Sequence, residues 1–72
     1  LDILQAFLNR EEIAGVLYMH NDYVRVVAGR FEDSLGSLVN LVDLQPEPRF
    51  VLELDTGMDV QVKQSEIQLI AR

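Results

Sequence analysis

YVRVVAGRFEDSLGSLVNL, residues 23–41, sets two apolar segments on either side of a glycine-punctuated loop. Val24 and Val26 stand two apart with Arg25 between them, the alternation of a strand with one buried face. Gly29 closes that run, where a residue without Cβ can take positive φ or approach a neighbour closely. Phe31 is the one large apolar residue of the loop and is expected to plug the end of the core. Glu32, Asp33 and Ser34 are turn formers. Gly36 opens a second apolar run through Leu38, Val39, Leu41, Val42 and Leu44. The stretch predicts a strand, a loop and a second strand, with the two spaced glycines bending the ribbon.

Length and composition bound the rest. The chain has 72 residues, which is one domain. A domain of this size buries only about 60% of the surface its unfolded chain exposes, so modest stability is expected. With no cysteine, disulfides and thiolate metal sites drop out, and the 49% apolar residues must hold the fold. A cytoplasmic setting fits that usage. Twelve acidic residues against six basic give a net charge of -6, which repels phosphate backbones and disfavours a nucleic-acid partner. Such a surface suits solubility or a basic protein partner. No apolar run approaches the roughly 20 residues of a membrane span, so no membrane partner is expected. The start at Leu1 lacks the layout of a signal peptide and suggests a trimmed sequence or a domain cut from a longer chain.

Along the chain, Asp2 is a candidate N-cap for a short helix over about residues 3–13. Ile3, Leu4, Phe7 and Leu8 would form its apolar stripe, and Gly15 its stop. That stripe covers one open end of the core or docks on a partner or second copy. Val16–Met19 is expected as a first strand, followed by a turn at His20-Asn21-Asp22 with the histidine exposed. Two prolines within Leu44–Pro48 mark an exposed loop. Phe50, Leu52 and Leu54 alternate with Val51 and Glu53, and Met58, Val60 and Val62 alternate with Asp59, Gln61 and Lys63. With Asp55-Thr56-Gly57 between them, these segments are the clearest hairpin of the sequence. Ser65-Glu66 is a tight turn, and Ile67, Leu69 and Ile70 supply a closing strand.

Motifs for chemistry are weak. Asp55-Thr56-Gly57 spells the aspartic protease tripeptide, but no later glycine exists to complete that family's pattern, and Asp and Gly are what a hairpin turn requires. Neither Glu32 with Asp33 nor Asp55 with Asp59 sits in a calcium-loop spacing. His20 is the only histidine, without a second imidazole or a thiol for a transition metal. Ser34, Ser37 and Ser65 lie outside any nucleophile-elbow context, and no phosphate loop is present. No catalytic residue, metal ligand or cofactor is predicted, and the chain is not expected to be an enzyme.

The pattern Val24-Arg25-Val26, Gly29-Arg30-Phe31, Gly36-Ser37-Leu38 resembles the KOW motif of SH3-like barrels, with Asp33 where that motif often has a further glycine. The resemblance implies a mainly β fold: a small SH3-like antiparallel barrel over about residues 16–71, with the short N-terminal helix, in one domain of residues 1–72. An Sm-like barrel is the second resemblance, resting on the initial helix and the closing segment Val60–Ile70; its usual Asn-Gly turn is unmatched at His20-Asn21-Asp22-Tyr23. SH3-like modules are commonly adaptors. The resemblance thus implies a non-catalytic protein-binding module whose contact patch comprises Arg30 and Phe31 with Tyr23 and Phe50. A small acidic inhibitor of a basic enzyme is the alternative, and a nucleic-acid-binding barrel the third. Homo-oligomerisation through a strand edge or the helix stripe is compatible with each.

Overall fold

A computed structural model describes residues 2–72 and is mainly β. One short helix, α1 (Ile3–Leu8), precedes five strands: β1 (Tyr23–Val26), β2 (Leu35–Asp43), β3 (Arg49–Leu54), β4 (Asp59–Lys63) and β5 (Ile67–Ala71). All pairings are antiparallel, in the order β4-β3-β2-β1-β5, so β4 and β5 are the two edges. Residues from every strand nevertheless join one core: Val24 and Val26 from β1, Leu38 and Leu41 from β2, Phe50 and Leu52 from β3, Val60 and Val62 from β4, Ile67 from β5.

Asp2 caps α1 as its sequence position predicts, accepting from the amides of Leu4 and Gln5. The helix stops well before residue 13, however, and Gly15 is not its terminator. Arg10 turns left-handed (φ 58), and the amides of Arg10 and Glu11 donate back to the carbonyls of Phe7 and Ala6. That is a Schellman closure built on a non-glycine residue. α1 packs on β2 and buries Ala6 and Phe7, whose ring meets Phe50 at 5.7 Å; Leu8 stays exposed.

Val16–Met19 is not a strand. Its backbone is instead tied by side chains: the Gln64 amide accepts from the Leu17 N–H and donates to the Gly15 carbonyl, and the Tyr18 hydroxyl donates to the Ile67 carbonyl. One glutamine thus does the pairing that a ladder would do, while Val16 and Tyr18 still pack on the core. His20 lies in the expected turn but is half-buried, edge-on to Phe7 at 6.0 Å, rather than exposed. Asp22, two residues on, is the one buried charged residue among the described residues. It accepts from the Met19 amide and forms an ion pair with Arg72 at 3.1 Å, which ties β5 to the start of β1 and raises the arginine's pKa.

The glycines do not bend the ribbon as the sequence suggests. Gly29 lies in the β1–β2 loop at φ 89, and Gly36 lies inside β2, opposite Leu54. The bends come from two bulges in β2. Between Leu38 and Asn40, and again between Leu41 and Asp43, β2 advances two residues while β3 advances one. The extra residues, Val39 and Val42, let Leu38 and Leu41 face the core although three positions apart. Gly36 serves a different constraint. A Cβ there would collide with the Glu53 carbonyl and lie 2.9 Å from the Leu54 Cα, so β2 and β3 approach as they do only because it is absent. The substitution Gly36→Ala is expected to destabilise the fold by about 3 kcal/mol, the upper range for overpacking against atoms that cannot yield. Urea unfolding monitored by circular dichroism checks this, and the open position Gly15 does not serve as control because its φ is positive; Ala28→Gly in the exposed loop does.

Candidate functional site

The β1–β2 loop is short and self-braced. The amide of Asp33 donates to the Val26 carbonyl at 2.7 Å, that of Ser34 to Phe31 at 3.0 Å, and that of Val26 to Ser34 at 2.9 Å. Asp33 takes φ 75, so the acid adopts the left-handed conformation for which glycine is the usual choice, one that Asp tolerates. Val27 is anchored from the other side through its amide to the Glu66 carbonyl. The loop therefore presents Arg30 and Phe31 on a fixed base. Phe31 is half-buried against the core, and the Arg30 guanidinium lies over its ring, 5.4 Å from the centroid. This is a cation–π contact that keeps the arginine beside the aromatic face.

Beside this loop lies a cleft of about 260 Å³. Val26 and Val62, both buried, lie at its base, Arg30 and Phe31 come from the loop, and Arg49 and Lys63 come from β3 and β4. Three of the six basic residues of an acidic chain thus line one cleft. Arg49 is engaged by Asp43 at 2.6 Å, but its Nε has no partner among the described residues. Lys63 makes no salt bridge among the described residues. Glu66 lines it as well, so the cleft offers the Phe31 ring for a side chain and a rim in which cations outnumber the one carboxylate.

Of the four residues the sequence suggested for a contact patch, the structure brings only Arg30 and Phe31 together. Phe50 is 0% exposed, packed tilted against Phe7 and edge-on to Tyr18, and offers a partner no surface. Tyr23 does not line the cleft, and its hydroxyl donates to Asp55 at 2.6 Å. Arg49 and Lys63 escaped notice because they are far apart in sequence and meet only through the β3–β4 register, in which they are directly opposed. The signal was present: once the turn is set at Asp55–Met58, counting outward along the hairpin pairs 53 with 59 and 49 with 63. Among the described residues no cluster of three or more His, Cys, Asp or Glu side chains is placed to hold a metal ion. No helix among them is long and apolar enough to cross a membrane.

The Tyr23–Asp55 contact makes a pH prediction. The hydrogen bond to Asp55, with desolvation and the negative charge adding to it, raises the Tyr23 pKa above its ordinary 10.0. The folded state then holds a proton that the unfolded state releases first, so stability falls as pH rises through 10 and toward the folded-state value. Below pH 10 this contribution is complete. The melting temperature of the protein is expected to drop more steeply above pH 10 than that of Tyr23→Phe, and absorbance titration should show a late tyrosine ionisation that Tyr23→Phe lacks.

No protein-family model, curated protein sequence or solved structure matches the chain.

Proposed function

We propose that this chain is a non-catalytic protein-interaction module of the SH3-like type, its sheet curled toward a small barrel, working in a cytoplasmic setting. Its contact surface is the cleft beside the β1–β2 loop. The observation that carries this reading is the convergence of Phe31, Arg30 and Lys63 on one concavity of an otherwise acidic domain. A rigid loop presenting an aromatic beside cations matches the anatomy of surfaces that anchor on Tyr, Phe or Arg. The five antiparallel strands and the KOW-like stretch support the family reading. The cleft accommodates one or two side chains, so the partner it favours is a short peptide segment rather than a broad protein face.

A second reading, a small acidic inhibitor of a basic enzyme, has Glu53, Asp55 and Asp59 in its favour, gathered at the β3–β4 end of the sheet. Steep loss of association with added salt would distinguish it from a cleft that anchors an apolar side chain.

The test is selection from a random peptide library on the immobilised domain. Binding peptides are expected to shift the backbone amide signals of Ala28, Arg30, Phe31 and Lys63. Phe31→Ala should weaken them at least about tenfold, the loss of one anchor of about 1.4 kcal/mol. If Phe31→Ala does not fold, Arg30→Glu, fully on the surface, makes the same test. Peptides that bind both variants as well as the parent, or that shift signals elsewhere, overturn the assignment.

A further inference from the structure

The outward face of the β3–β4 hairpin is charged in a way that works against its own stability. Phe50 with Val62 and Leu52 with Val60 point into the core, so the alternate pairs point out: Arg49 opposite Lys63, Val51 opposite Gln61, Glu53 opposite Asp59. Both charged pairs are like-signed, and like charges directly opposed on a ladder repel. Exchanging Lys63 and Asp59 would turn both into favourable pairs. Asp43, opposed to Arg49 from β2, relieves one cation only, and Lys63 has no ion pair among the described residues. Glu53 is flanked on β2 by neutral Ser37. The face thus runs from cationic through a neutral band of Asn40, Val51 and Gln61 to anionic, over about 13 Å of strand. The two ends are too far apart to satisfy one another within one molecule.

We infer that this face is a self-association surface: a second copy of the chain packs on it antiparallel, about a two-fold axis passing near Val51 and Gln61. In that arrangement the Arg49/Lys63 end of each copy lies over the Glu53/Asp59 end of the other. Every charge that repels its neighbour in the monomer then faces the opposite sign. A two-fold contact is self-complementary and closes at the dimer. A second copy is the fitting occupant, because a surface carrying the same gradient reversed offsets both ends together. The contact is small and charge-driven, at the low end of specific interfaces, so it forms at high protein concentration and low salt. It shares Arg49 and Lys63 with the cleft but does not use Phe31 or Arg30, so Phe31→Ala tests the cleft alone.

Sedimentation equilibrium of the described chain at low ionic strength is expected to show a monomer–dimer equilibrium that shifts to monomer in about 0.5 M salt. Two charge-reversed double variants, Arg49→Glu with Lys63→Glu and Glu53→Lys with Asp59→Lys, should each be monomeric and should dimerise when mixed. The single variant Lys63→Glu should lose the dimer while its monomer melts at a higher temperature, since Arg49 now opposes a carboxylate. If a double variant fails to fold by circular dichroism, Lys63→Glu mixed with Asp59→Lys replaces it. A parent protein that stays monomeric at about millimolar concentration in low salt, or folded variants that remain monomeric on mixing, overturns the proposal. So does a dimer insensitive to salt and to charge reversal.

Discussion

The register between β3 and β4 is the constraint from which both the core and the surface chemistry follow. It places Phe50 against Val62 and Leu52 against Val60, all buried, and in the same stroke opposes Arg49 to Lys63 and Glu53 to Asp59. Magnitudes decide which demand wins. Burying each of those four apolar side chains contributes about 1.5–3 kcal/mol, whereas a like-charged opposed pair costs about 0.2–1 kcal/mol. A slip by one residue would relieve the charges and turn the apolar set outward. The hairpin therefore keeps its register and carries the repulsion on its surface. Gly36 holds β2 close enough to β3 to support this ladder from the other side.

Patterns of period two were legible in the sequence wherever a strand is regular. The β3–β4 hairpin, the cap at Asp2, the turn at His20–Asp22 and the loop between β1 and β2 follow from local chemistry and lie where that chemistry puts them. What could not be read were features settled by distant partners. The helix ends early because Arg10 accepts a left-handed conformation that a reader would assign to glycine. Val16–Met19 has strand composition but faces the Gln64 side chain, 47 residues from Leu17, in place of a neighbouring strand. The two bulges of β2 are invisible in a run of Leu and Val, because any residue of that run satisfies the composition and only pairing with β3 selects Val39 and Val42.

The site shows the same division. Arg30 and Phe31 were legible because one loop carries both. Phe50 was misplaced because alternation gives the facing of a strand but not its depth, and its face is the centre of the core. Arg49 and Lys63 complete the cleft and also form the cationic end of the hairpin face, so they stand at the border between two surfaces. Peptide capture in the cleft and pairing of two copies would draw on the same two cations. Occupancy of one surface then weakens the other by linkage, with equal effect in both directions.

Same-signed residues opposed across one ladder underlie both the core register and the surface charge, and nuclear Overhauser effects between the strands examine that pairing directly. Backbone contacts linking Arg49 to Lys63, Val51 to Gln61 and Glu53 to Asp59 are the predicted result. Contacts offset by one position, with Arg49 joined to Val62 or Glu53 to Val60, would contradict it.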